Sequence, residues 1–269
     1  MSNTNSLAVV ALLFIGMVLG CNSAKDAGPK SAAADNKNAA EIKTVAQEPS
    51  EDGVIPSGTG VEKEKPAADK GHVQGKAMFN EQPAAGVEVK LCEKFNQYGK
   101  GCDGKTFTTK TDENGEYLIK DIPPGTYAAL TVRVFNTPFY VFATSGLVSA
   151  AKYNIEAGKT FFAPDSHLFK NDLKLVSPKA GAKVAAGSLE VSWEPYPDAA
   201  YYKVSVHGDS QSGAKTDLDF VGRRVDGTSL AIDKPLPAGT YRPYVDAYNS
   251  NDRKLSQSSR DIKVTVTGN

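Results

Sequence analysis

The sequence is short of the residues that carry covalent and metal chemistry. Its three histidines, His72, His167 and His207, stand far apart, and its three cysteines, Cys21, Cys92 and Cys102, form no closely spaced pair. A structural zinc site brings paired ligands within about two to four residues, and no such spacing is written here. There is no His-Glu-x-x-His, no Gly-x-Ser-x-Gly, no P-loop and no dinucleotide-binding glycine pattern. Asp165, Ser166 and His167 are adjacent in sequence, but a catalytic triad needs groups that converge in space. A turn or capping role is the plainer reading of that run. Asp112 and Asn114 have too few oxygen-bearing neighbours for a calcium shell of about six to eight ligands. An excess of one charge is also missing: 31 basic residues balance 31 acidic ones. Without a basic surplus, or basic residues interleaved with aromatics, no nucleic-acid partner is expected. No enzyme activity, metal or cofactor is expected either.

What the chain does have is alternation. After residue 70, valine, tyrosine and phenylalanine fall in short runs split by glycine and proline, which favours an all-β fold. The clearest stretch is residues 109–127, Thr-Lys-Thr-Asp-Glu-Asn-Gly-Glu-Tyr-Leu-Ile-Lys-Asp-Ile-Pro-Pro-Gly-Thr-Tyr. Asp112, Asn114 and Gly115 supply the side-chain bonds and positive φ of a tight turn. Tyr117 and Ile119 alternate with polar residues, as a half-buried strand requires. Pro123 and Pro124 cannot donate to a ladder, and Gly125 turns freely, so the chain bends there. The run resembles the signature of carboxypeptidase regulatory-like domains, a transthyretin-like β-sandwich family. Residues 87–91, Val-Glu-Val-Lys-Leu, carry the second half of that resemblance, with Glu88 and Lys90 facing water.

The N-terminus reads as an address. Residues 7–19 are apolar apart from Gly16, which suits a secretory h-region better than a membrane span. Val18-Leu19-Gly20-Cys21 resembles the bacterial lipobox, although residues 1–6 hold no lysine or arginine. The resemblance implies cleavage between Gly20 and Cys21 and lipidation of the Cys21 thiol, which would hold the protein on a bilayer. Asn22, where aspartate would signal inner-membrane retention, leans toward the outer membrane, on its periplasmic or surface face. Residues 1–20 are then a signal peptide and 21–71 a disordered linker. Rich in alanine, lysine, glutamate and proline, the linker cannot bury enough surface to offset its chain entropy. As a flexible coil it would reach roughly 40 Å.

Residues 72–176 are assigned to the regulatory-like sandwich. With Cys21 committed to lipid, Cys92 and Cys102 remain for each other, and an oxidising compartment favours a disulfide. The rival reading, a metal pair, has no histidine near in sequence. Phe135, Phe139, Tyr140, Phe142, Phe161 and Phe162 make an aromatic-rich half. Core packing is the plain reading; as exposed sugar-stacking residues the candidates are Tyr140 and Phe162.

Residues 177–269 are assigned to a second sandwich. Leu189-Glu-Val-Ser-Trp193 and Tyr202-Lys-Val-Ser-Val206 alternate, and Leu236-Pro-Ala-Gly-Thr-Tyr241 turns the chain into Pro243-Tyr-Val245. This looks like a fibronectin type III-like module with a core tryptophan. Its corner has the form of Ile122-Pro-Pro-Gly-Thr-Tyr127, which reads as convergent chemistry because the flanks do not align. The expectation is therefore two tandem antiparallel β-sandwiches after a disordered N-terminal tether. Their function would be non-catalytic: a lipid-anchored envelope module, structural or protein-binding, whose partner is an envelope or extracellular protein. The alternative is polysaccharide binding by the aromatic-rich first sandwich.

Overall fold

A computed structural model describes residues 49–145 and 149–268, and their regular structure is β-strand apart from two short 3-10 turns, Ser210–Ser212 and Leu218–Phe220. Gly20 and Cys21, with the signal peptide and the first part of the 21–71 linker, lie outside the described residues.

The first sandwich is built from β1 (Val54–Ile55), β2 (Gly71–Phe79), β3 (Glu88–Asn96), β4 (Gly101–Lys110) and β5 (Glu116–Ile122). It continues through β6 (Gly125–Tyr127), β7 (Ala129–Arg133), β8 (Tyr140–Phe142), β9 (Lys152–Ile155) and β10 (Thr160–Phe162). One sheet has the order β4-β3-β7-β8 and is antiparallel throughout. β2 pairs antiparallel with β5 and parallel with β10, and a small sheet runs β1-β9-β6. The expected antiparallel order thus holds for most pairs, with parallel pairs added where β1 and β10 join. Alternation sends Val87, Val89 and Leu91 inward to meet Tyr117, Ile119, Val132 and Ile155 in one core. Their partners Glu88 and Lys90 point the other way, because successive strand residues face opposite sides.

The turn at Asp112 is as its residue types require. Asp112 Oδ1 accepts from the backbone N–H of Asn114 and of Glu116, each at 2.9 Å. Gly115 has φ +71°, and a Cβ there would sit 2.5 Å from the Ala77 carbonyl oxygen. At the following corner Tyr127 Oη donates to the Pro123 carbonyl at 2.9 Å.

Residues 50–64 depart from the expected linker, which was drawn to 71. They lie along the first sandwich: β1 extends β9, and Gly58 N–H donates to the Phe162 carbonyl at 2.9 Å. The Lys63 N–H donates to Gln74 Oε1 at 2.9 Å, and the Gln74 side-chain amide donates to the Val61 carbonyl at 3.0 Å. Low hydrophobicity argued against a core for this segment; Ile55, 3% exposed, and borrowed hydrogen bonds suffice to dock it.

The second sandwich comprises β11 (Lys170–Leu173), β12 (Leu175–Ser177), β13 (Lys183–Ala185), β14 (Glu190–Trp193) and β15 (Tyr201–Gly208). After these come β16 (Arg223–Val225), β17 (Ser229–Ala231), β18 (Gly239–Tyr248), β19 (Lys254–Ser258) and β20 (Val264–Thr267). One sheet has the order β11-β19-β18-β15-β16, with β20 also on β18 and β13 on β20; the other runs β12-β14-β17. Trp193 is buried and packs edge-on against Tyr202 at 5.2 Å, a core residue and not a platform. The boundary falls earlier than the expected 176/177. Leu168 belongs to the first core, while Leu173 and Leu175 already pack on the second. Pairing of β11 with β19 overrides the sequence cue at Ser177-Pro178.

A polar joint ties the sandwiches together. Asn80 Nδ2 donates to Asp198 Oδ2 at 2.9 Å, and Asn249 Nδ2 donates to Asn80 Oδ1 at 3.0 Å. Glu81 faces Arg253 at 3.6 Å, and the Lys170 ammonium lies 4.8 Å from the Phe79 ring centre. Asn80, Glu81, Asp198 and Asp252 all hold positive φ between +49° and +62°, a strained choice that only over-determined surroundings maintain.

Candidate functional site

The outer face of the β4-β3-β7-β8 sheet is concave. A cleft of about 360 Å³ opens there, lined by Glu88, Lys90, Lys100, Cys102, Thr131, Arg133, Pro138 and Tyr140 among others. That volume falls in the range of small-ligand sites, about 300–1,000 Å³. Strand geometry explains the lining. Glu88 and Lys90 of β3, Thr131 and Arg133 of β7, and Tyr140 and Phe142 of β8 all point to this outer face. Register brings them level: Lys90 is opposite Thr131, and Arg133 is opposite Tyr140.

Cys92 and Cys102 are joined by a disulfide, with 5.3 Å between their α-carbons. It spans β3 and β4 at the edge of the cleft, and Cys102 Sγ lies 4.0 Å from Thr131 Oγ1. Tyr140 is held from the side by Phe95 at 5.9 Å and Phe142 at 6.2 Å between ring centres. Gly101 makes room for it. A Cβ at Gly101 would stand 2.9 Å from Tyr140 Oη, and its φ of +76° independently favours glycine.

The charges do not cancel. Lys90 Nζ pairs with Glu88 Oε1 at 2.8 Å, and Arg133 approaches the same oxygen at 3.9 Å. The Arg133 Nε–H donates to the Thr137 carbonyl at 2.8 Å, which fixes the guanidinium. Lys100 is exposed and lines the cleft without an ion pair among the described residues. One carboxylate thus faces three cations.

Phe162, the other expected stacking residue, is elsewhere. It is on β10, on a different sheet from Tyr140, and its ring covers Gly60 of the docked segment: a Cβ at Gly60 would fall 2.7 Å from that ring. Tyr140 and Phe162 are therefore not brought together.

The remaining candidates for chemistry are dispersed. His72 is buried with Nδ1 3.2 Å from the Glu64 carbonyl, and His207 stacks on Tyr244 in the second sandwich. Ser166 and His167 form a short strand beside Ala77 and Met78. Burial, aided by the Arg253 charge, holds the His167 pKa below its ordinary value despite Glu81 and Asp165. Burial pushes the Tyr117 phenol up; its hydroxyl leaves no room for a Cβ at Gly75 and belongs to the core. Among the described residues no group of three or more His, Cys, Asp or Glu side chains is set to hold a metal ion.

The sequence points to the disulfide, which the structure contains, and singles out Tyr140, which the structure places in the cleft; it does not group Lys90, Lys100 and Arg133. Alternation already turns Lys90 outward; the missing signal is the strand order that makes β3 and β7 neighbours.

No family model matches the chain, and no curated protein matches it. Solved structures do. The full-length major pilin SpaD of Corynebacterium diphtheriae is similar at 12% identity and a TM-score of 0.26, over 73% of this chain and 65% of that one. The chain therefore spans just under two thirds of that pilin's length. A protein from Bacteroides uniformis, proposed to bind carbohydrate, is similar at 12% identity and a TM-score of 0.26, over 70% of this chain and 94% of its own. The fibronectin(III)-like modules of Clostridium thermocellum CbhA are similar at 14% identity and a TM-score of 0.28, over 76% and 92%. With TM-scores of 0.26 to 0.28 these likenesses assign the chain neither a fold nor a role.

Proposed function

We propose that the chain is a lipid-anchored envelope protein, held on the bacterial outer membrane through Cys21, and that it acts as a non-catalytic structural or protein-interaction module. The observation that carries this reading is the joint. Asn80 bridges Asp198 and Asn249, so the two sandwiches are presented as one body and not as loose beads. A fixed pair of sandwiches suits the display of a surface at a distance from a membrane. The lipobox-like residues supply the attachment. Labelling cells with a fatty-acid analogue tests the anchor: the wild type takes up label, and Cys21→Ser does not. Crosslinking on intact cells tests the module, with the expected result a discrete protein adduct lost in a joint-breaking Asn80→Ala variant. An unlabelled wild type, or adducts indifferent to Asn80→Ala, would each remove one half of the reading.

A second reading, polysaccharide binding, is favoured by one specific observation. The Tyr140 cleft combines a braced aromatic ring with hydroxyl-bearing and charged walls. That is the composition of a site that stacks one face of a sugar and hydrogen-bonds its edges.

A further inference from the structure

We propose that the Tyr140 cleft binds an acidic sugar, a hexuronic-acid residue within a polysaccharide. The inference rests on the polysaccharide reading above and names the ligand class. Four observations lead to it. First, Lys90, Lys100 and Arg133 face a single carboxylate, Glu88, so the cleft keeps a positive surplus after its internal pairs are made. An anion entering it gains attraction, and a second carboxylate is what the empty side of this balance lacks. Second, Lys100 and Arg133 are not equivalent. Arg133 is fixed by Thr137, whereas exposed Lys100 is free to close on a ligand. Third, Tyr140 provides a ring that an inorganic anion would not use. Phe95 and Phe142 hold it in place, and Gly101 clears the space around its hydroxyl. A pyranose offers the matching pair of features, an apolar C–H face for the ring and a carboxylate for the cations.

The fourth observation separates a glycan from an acidic peptide. Extended peptides bind β-proteins by adding to an open strand edge, where backbone groups are unpaired. The floor of this cleft is the face of β3 and β7, interior strands paired on both sides, and the edge strands β4 and β8 contribute Cys102 and Tyr140 to the same face. Apart from Gly101, its lining residues carry side chains. It offers no backbone ladder, so recognition falls to ring contact and to bonds from Lys90, Thr131 and Arg133.

The test uses the detergent-solubilised full chain and titration calorimetry with a galacturonic-acid trimer. Binding is expected with a Kd that weakens at least tenfold between 20 and 300 mM salt, because the attraction is charge-based and is screened over a Debye length of about 8 Å at physiological ionic strength. Lys100→Gln and Tyr140→Ala should each weaken binding by roughly tenfold, the scale of one lost charge contact or stacking partner. Lys100→Gln alters an exposed side chain and keeps the test valid if Tyr140→Ala disturbs the fold. Three comparison ligands separate the sources. Equal affinity for a neutral galactose trimer would overturn the acidic assignment while leaving polysaccharide binding standing. Equal affinity for inorganic phosphate would reduce the site to an ion trap and overturn the sugar. Equal affinity for a short poly-glutamate would overturn it in favour of a peptide. No binding of either trimer would remove this inference and the polysaccharide reading together.

Discussion

The two sandwiches turn the same corner and brace it differently. In the first, Tyr127 Oη donates to the Pro123 carbonyl; in the second, Tyr241 Oη donates to the Pro237 carbonyl; both bonds are 2.9 Å and both span four residues. The glycines that open the corners have nearly the same backbone, φ +153° at Gly125 and +151° at Gly239. Beyond the corner the likeness stops. The first sandwich is divided among small sheets, and it is held by a disulfide and by the docked 50–64 segment, which adds β1 to the sheet of β9 and β6. The second gathers most of its strands into one sheet, and Trp193, on the smaller sheet, packs in the core with them. The corner is therefore a requirement of turning a β-chain between layers, met by the same local chemistry twice. The braces belong to one sandwich only, and one of them, the disulfide, lies at the edge of the cleft.

That asymmetry predicts where removal of a brace is felt. Replacing both Cys92 and Cys102 by serine should cost the first sandwich about 2–3 kcal/mol, the chain-entropy value for a loop of this size. The second should be unaffected. Trp193 is the sole tryptophan and lies in the second core, so its fluorescence follows that sandwich alone. Hydrogen exchange on β3 and β7 follows the first. A matching loss in the tryptophan transition would show that the sandwiches unfold as a unit.

The corner glycines sharpen the comparison. A Cβ on Gly125 would meet nothing within 4 Å, whereas one on Gly239 would lie 2.6 Å from the Ala214 backbone nitrogen. Gly125→Ala should therefore cost about 1 kcal/mol of backbone strain, and Gly239→Ala about 2 kcal/mol or more from strain and crowding. Equal losses in chemical denaturation would mean the backbone alone sets the cost. The tyrosines make the opposite prediction. Tyr127→Phe and Tyr241→Phe each delete one hydroxyl donor to a proline carbonyl, so each should lose about 1 kcal/mol. A large difference between them would break the claim that the corners are energetically alike.

These contrasts also show what can be read from a chain. The corners were legible because proline, glycine and tyrosine act on their immediate neighbours. So was the Asp112 turn, and so were the inward and outward faces of β3. The disulfide followed from a count of thiols. The joint was not legible: Asn80, Asp198 and Asn249 are isolated polar residues in separate turns, and only the fold brings them together. The cleft was half legible. Tyr140 stood out as an aromatic, but Lys90 and Arg133 looked like ordinary solvated strand residues until β3 and β7 were known to be neighbours. Phe162 misled because its cover, Gly60, comes from a segment with no apolar pattern of its own.

That docked segment gives the smallest effect and the finest test of the asymmetry, since Lys63 reaches a turn from the segment ahead of β2, whereas the comparable lysine of the second sandwich, Lys234 with Asp217 and Asp219, joins two of that sandwich's own loops. Lys63 Nζ lies 2.7 Å from Asp112 Oδ2 and 2.7 Å from Glu116 Oε2. Burial works against the Lys63 ammonium, but its bonds to Asp112 and Glu116 outweigh it and hold the pKa above the ordinary 10.5. Burial likewise opposes the Asp112 carboxylate, but the Lys63 bond and the Glu116 and Asn114 N–H groups hold its pKa below the ordinary 3.8. A depressed carboxylate stabilises the folded form above its unfolded value and stops doing so as pH falls through its folded value. A raised lysine stabilises below its unfolded value and stops as pH rises through its folded value. The contact should therefore be intact between pH 4 and 10 and weaken only outside that window. All three side chains are between about a quarter and a half exposed, so the total is no more than about 1 kcal/mol. The Gly58 and Lys63 amides, bonded to Phe162 and Gln74, report docking by their exchange protection. Protection should be flat from pH 7 to 5 and drop several-fold toward pH 2, ahead of the amides in β3. In Lys63→Met it should be lower at neutral pH and lose most of that drop. Protection that stays constant to pH 2 in the wild type, or is unchanged in Lys63→Met, would show that Ile55 and the backbone bonds alone hold the segment down.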